Sequence, residues 1–256
     1  MLAQGLVIAL VGAAVPWMDR AAAVLRDGGY AVLRCDDPAA YITQLIDSSA
    51  VLVLAGADTD ACTWIARAKI EQATRRIPTL ALLSDAQQGA EALGAGADEC
   101  LLVNALETRL LAVVGDLARQ PDAARRAELD CQCAQPLSPQ GQEGVERFNA
   151  GEYYRQHDLF EALWMAEPGP VRDLYRAILQ VGVAYYHVMR GNDRGALKML
   201  RRSVQWFADL PDVCQGVDVR RLRDDAAQVR AALESGDPGA LDRAHLPPVH
   251  LVDAAR

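Results

Sequence analysis

Between Leu6 and about residue 119, short uninterrupted apolar runs alternate with segments of helix length, and this constrains the fold more than any other feature. Leu6–Val11, Val51–Leu54 and Thr79–Leu83 are continuous apolar runs of strand length, and Ala31–Cys35 and Glu99–Val103 are candidates for strands two and five. A strand without polar alternation has to be covered on both faces. The intervening segments, Trp17–Asp27, Ala39–Asp47, Cys62–Glu71, Ala86–Ala95 and Ala105–Arg119, supply the covering helices. Five strand–helix units in succession predict an α/β, doubly wound parallel sheet of the flavodoxin-like kind over residues 1–119.

Two stretches carry a family resemblance. Arg75-Arg76-Ile77-Pro78-Thr79-Leu80-Ala81-Leu82-Leu83-Ser84 and Gly94-Ala95-Gly96-Ala97-Asp98-Glu99-Cys100-Leu101 resemble the fourth strand and following turn of response-regulator receiver domains. The resemblance covers roughly residues 4–119. It implies acids after the first strand to hold Mg²⁺, an aspartate ending the third as phosphoacceptor, and a lysine ending the fifth. Here those positions read Val11-Gly12, Ala55 and Val103, and only Ser84 stands at the place of the family's switch hydroxyl. Asp58 lies three residues past the acceptor position. Without carboxylates and a nucleophile, phosphotransfer has no route. The expectation is a pseudo-receiver with no phosphoacceptor, acting as a scaffold or a homodimer interface. Neither G-x-G-x-x-G nor G-x-x-x-x-G-K-[ST] occurs.

The alternation stops between Gln120 and Gln142, read as a linker, and from there the pattern turns helical. Ser138-Pro139 is an N-cap followed by proline at the first helical position. Further helices are expected over Glu152–Met165, Val171–Met189, Arg194–Ala208 and Val219–Leu233, making an all-α bundle over residues 143–235. The tail, residues 236–256 with paired Pro247-Pro248, reads as having little capacity to fold alone. His245 and His250 in it are given no role.

Within the helical half, Phe148–Trp164 gathers ionisable and aromatic residues at helical spacing. His157, Glu161 and Trp164 stand at i, i+4 and i+7, so they share one helix face. Gln180 and His187 are two turns apart on the next long helix. Together with Phe148-Asn149, Gly151-Glu152-Tyr153, Gly191-Asn192 and Gly195-Ala196, the H-x-x-x-E-x-x-W motif resembles the family named domain of unknown function 309, over Val145–Asp209. That family usually has glutamate where Asp158 follows the histidine. The resemblance implies a small all-helical domain and no established activity. The rhythm around the motif is also similar to tetratricopeptide-type hairpins, but no second copy occurs at a ~34-residue period.

Three chemistries fit these residues. His157, Glu161 and His187 could converge on a divalent metal, since an imidazole–carboxylate set suits Zn²⁺, Fe²⁺ or Mn²⁺. With water in an open position such a metal could support hydrolysis, the centre of a metal-dependent enzyme at His157 and Glu161; without metal, His157 could be a general base oriented by Glu161. Trp164, Tyr153, Gln180 and His187 could line a pocket for a ligand or peptide. The competing structural reading is that His157 and Glu161 merely satisfy each other at the edge of a core.

The totals narrow the partners. With 26 basic and 34 acidic residues the net charge is −8, which argues against broad binding to a nucleic-acid backbone. No apolar run reaches the ~18 residues needed to span a bilayer, and the apolar N-terminus lacks the basic residues of a signal sequence. Six scattered cysteines in mostly apolar company read as reduced thiols in a cytoplasmic protein. The leading expectation is a non-catalytic regulatory or interaction protein with an unidentified protein partner or small-molecule ligand. The alternative is a metal-dependent enzyme.

Overall fold

The computed structural model describes residues 5–56, 61–118, 123–237 and 239–252. It divides into two units, Met1–Gln120 and Pro121–Arg256. Asp58 lies outside the described residues.

The first unit runs β1 (Val7–Val11), α1 (Pro16–Asp27), β2 (Ala31–Cys35), α2 (Tyr41–Asp47), β3 (Leu52–Gly56), α3 (Ala61–Ile70), β4 (Thr79–Leu83), α4 (Gly89–Gly94), β5 (Glu99–Leu102) and α5 (Leu106–Leu117). The five strands are parallel, in the order β2-β1-β3-β4-β5. Strand residues divide by parity between two cores, which explains the unbroken apolar runs. Ile8, Leu10, Leu52, Leu54, Leu80 and Leu82 pack with Trp17, Leu25, Leu106 and Leu110 of α1 and α5. Ala9, Val11, Val53, Ala55, Ala81 and Leu83 pack with Tyr41, Leu45, Trp64, Ile65 and Ala92 of α2, α3 and α4.

The helix expected over Ala86–Ala95 is interrupted. Asp85 accepts from Gln87 N and Gln88 reaches back, closing a capping box over a 3₁₀ turn before α4. In the Gly94–Leu101 signature, Gly96 takes φ +108° and Asp98 accepts from the Thr79 amide at 2.7 Å and from Lys69 Nζ at 2.6 Å. That signature therefore ties the start of β4 to α3 and needs no chemistry to explain it.

The second unit is α6 (Ala123–Cys133), α7 (Pro139–Asn149), α8 (Tyr153–Ala166), α9 (Arg172–Met189), α10 (Asp193–Phe207), the short antiparallel pair β6 (Val213–Cys214) and β7 (Val217–Asp218), and α11 (Val219–Ser235). As expected from Ser138-Pro139, the Ser138 hydroxyl caps α7 by accepting from Gly141 N. The α9 helix is the spine of this unit, with Leu174, Ile178, Val181, Tyr185 and Val188 fully buried.

Three expectations need correction. The stretch read as a linker contains α6, whose Leu129 and Cys133 are buried in the helical core. The tail also packs on that core through Val249, and Leu251 bridges to Val217. Finally, Cys133 and Cys214, 81 residues apart in sequence, form a disulfide. The all-thiol reading is overturned, because cysteine pairing depends on α6 meeting β6 and not on local company. Cys35, Cys62, Cys100 and Cys131 are free thiols, and burial beside Asp36 pushes Cys35 up to about 11.

Candidate functional site

Gly151 opens the α8 helix by taking φ +75°, a left-handed turn that suits glycine and lets Glu152 N bond to Arg147 O. The Glu152 carboxylate then accepts from Arg147 and Arg155, which holds it below the usual carboxylate range. From there the helix sorts its side chains by period. Tyr153, Gln156 and Phe160 form the buried stripe, whereas Tyr154, Asp158, Glu161 and Met165 stand exposed. His157 and Trp164 flank the boundary.

His157, Asp158 and Glu161 come together: each offers one ligand atom within 4.8 Å of the others. His157 Nδ1 lies 3.2 Å from Asp158 Oδ1. Two ligands about 2.2 Å from one ion can be at most about 4.4 Å apart, so a small turn of these solvent-facing side chains would close the set on a divalent cation. The reading in which His157 and Glu161 satisfy each other at a core edge gains no support. Glu161 is exposed, and the histidine bonds to Asp158.

His187 is not in this group. The α8 and α9 helices run antiparallel, with Trp164 beside Arg176 and Gln156 beside Leu179 and Gly182. That register carries His187 past His157, to the end of α9, where its Nδ1 lies 3.0 Å from Asn192 Nδ2. Asn192 in turn caps α10 by accepting from Gly195 N. Gln180 stays on the half-buried side of α9, and its Oε1 makes no hydrogen bond. Tyr153 belongs to the core. Its ring meets Phe148 and Tyr185 edge-on at 5.3 and 5.8 Å, and burial raises its pKa.

Trp164 has a partner that sequence reasoning did not identify. The Arg176 guanidinium lies 4.4 Å from the Trp164 ring centroid and 4.3 Å from that of Trp206, one ring from α8 and the other from α10. Gln156 was also missed. It is fully buried, donates to Leu179 O, and sits where any side chain at Gly182 would collide with it. Its place three residues from Tyr153 and four from Phe160 was the available signal.

In the α/β unit, the strand ends where a receiver keeps its chemistry carry none of it among the described residues. Gly12 follows β1 with φ +113°, a conformation that acidic side chains rarely adopt. Ala55 is buried in β3. Val103 opens a 3₁₀ turn after β5. Ser84 is exposed, and its amide bonds to Gln88 Oε1.

Residues 142–199 match the family described as Domain of unknown function (DUF309). An uncharacterized protein of Aquifex aeolicus (strain VF5) is 23% identical over 95 residues, which is 37% of this chain and 28% of that protein. The chain thus matches little more than a quarter of that relative's length. The N-terminal part is similar to solved response regulators. One from Desulfuromonas acetoxidans is 19% identical, with a TM-score of 0.38 over 44% of this chain and 98% of that one. An orphan response regulator of H. pylori is 15% identical, with a TM-score of 0.37 over 44% and 97%.

Proposed function

We propose that this is a regulatory interaction protein that is not itself an enzyme. In this reading the α/β unit is a phosphorylation-incompetent scaffold that associates with a second copy, and the helical unit binds a partner or ligand through the outer face of α8. The observation that carries it is the exposed outer face of α8, on which Glu161 of the motif stands. Tyr154 and Met165 are each 71% exposed, and Asp158 and Glu161 stand between them on the same helix. Side chains held in water at that spacing contribute little to folding. Among the described residues no helix is long and apolar enough to cross a membrane. A cytoplasmic location is part of the proposal. The Cys133–Cys214 bond, of a kind rare in reducing compartments, makes thiol titration of freshly lysed cells its check.

A second reading is favoured by the His157–Asp158–Glu161 group, whose nitrogen and carboxylate ligands suit a first-row divalent ion. Here His157 and Glu161 would be the catalytic centre of a metal-dependent enzyme. Elemental analysis of the purified full chain, wild type beside His157→Ala and Glu161→Ala, decides between the two. No bound metal, with stability within ~0.5 kcal/mol of wild type in both variants, supports the interaction surface. Near-stoichiometric metal in wild type, lost from both variants, replaces it with the enzyme. Incubation with a small acyl phosphate and Mg²⁺ tests the scaffold, and labelling at Asp58 would overturn that part.

A further inference from the structure

We propose that the patch around Arg176, shared by α8, α9 and α10, is a binding site for an oxyanion, the phosphate or carboxylate group of a ligand. Three helices bring its parts together. Trp164 and Trp206 hold the Arg176 guanidinium between their rings, and Arg172 lies one turn earlier on α9, 6.0 Å from the Trp164 ring. Arg202 stands one turn before Trp206 on α10, on the same stripe.

Four N–H groups here are withdrawn from water and make no hydrogen bond: Trp164 Nε1, Trp206 Nε1, Arg172 Nε and Arg202 Nε. Indole and guanidinium N–H groups only donate, so only an acceptor can satisfy them. Unpaired buried donors are uncommon in folded proteins, and four of them on the three helices that carry Arg176 and its two rings form a concentration that helix packing alone does not require. The side chains involved are only partly buried, so a turn about their own torsions presents these donors at the surface.

Charge points to the same class of ligand. Two carboxylates, Asp173 and Asp209, stand against Arg125, Arg172 and Arg176. Asp173 lies 2.9 Å from Arg125 and 3.8 Å from Arg176, and Asp209 is close enough to act on it electrostatically. Burial also raises the Asp173 pKa against the pull of those arginines. The excess of cationic donors over acceptors favours a planar or tetrahedral anion, which guanidinium groups bind with charge-assisted hydrogen bonds. This site is a different set of groups from the outer face of α8, and it stands or falls separately.

The test is titration of the full ¹⁵N-labelled chain with inorganic phosphate and, separately, with succinate, at ionic strength matched with potassium chloride. The chain has four tryptophans, so the two indole N–H signals that matter are those missing from Trp164→Phe and Trp206→Phe. The proposal predicts saturable shifts of these two signals, with affinity about tenfold weaker in Arg176→Gln. The anion that saturates them identifies the source as phosphate or carboxylate. Trp206→Phe keeps the stacked ring and removes one donor, so it weakens binding even if Arg176→Gln does not fold. Absence of saturation with both anions, or the same drift with chloride alone, overturns the site and leaves the sandwich a clip between helices.

Discussion

The side-chain amide of Asn149 spans the main chain of Val249, accepting from its N–H at 2.8 Å and donating to its carbonyl at 2.9 Å, across 100 residues of sequence. Asparagine here acts as a one-residue strand. It pairs a backbone segment that proline-rich neighbours cannot pair by themselves, and Val249 is thereby fixed in the core. Asn149→Ala leaves both groups of Val249 without a protein partner and should lower stability by about 1–3 kcal/mol. Hydrogen exchange should locate the loosening at Val249 and Val252. Unchanged protection there would mean that the tail's other contacts hold it without the clamp.

Arg243 pins the same tail to the start of α10, donating to both carboxylate oxygens of Asp193 at 2.7 and 2.8 Å. These bonds hold Asp193 below the usual carboxylate range. A depressed folded-state pKa means that the contribution is present above the ordinary aspartate range and is lost as pH falls through the folded value. The side chains are substantially exposed, so the effect is small and salt-sensitive. Thermal melts from about pH 6 to about pH 3 should show a pH-dependent loss that is reduced in Asp193→Asn. An identical pH profile in that variant would remove Asp193 from the account.

The disulfide closes a long loop between α6 and β6. Its loss in Cys214→Ser should lower stability by about 2–4 kcal/mol, chiefly by releasing the unfolded chain. Titration of the denatured, unreduced chain should find four thiols of the six cysteines. Six would show that the pair is not formed.

Gly182 is a packing position, because the Gln156 amide fills the space where its side chain would be. Gly182→Ala should cost about 1–3 kcal/mol through overpacking between α8 and α9. Gln156→Ala, combined with it, should restore part of that loss because the collision is removed. Purely additive effects in urea denaturation would show that the two positions do not meet.

Local pattern made much of this architecture legible. The unbroken runs at Val7–Val11, Leu52–Gly56 and Thr79–Leu83 require two covered faces, so the parallel sheet followed from them. The helices from Ser138 onward followed from caps and the 3.6-residue period. The lack of acids at Val11-Gly12 after β1, and Ala55 at the acceptor position in β3, could be read directly. The candidate site was legible only in part: His157 and Glu161 do share a face, but Asp158, not His187, completes their group.

What the sequence alone determined is therefore whatever depends on neighbours within a turn or two: strands, helices, caps and the faces they present. Tertiary structure alone decided the Cys133–Cys214 bond, the Asn149–Val249 clamp, the reach of His187 and the seating of Arg176 between Trp164 and Trp206. Each joins residues whose distance in space is set by the register and rotation of packed helices. Shifting one helix by a single residue turns its side chains by about 100° and changes every such partner, although the sequence pattern of each helix stays the same.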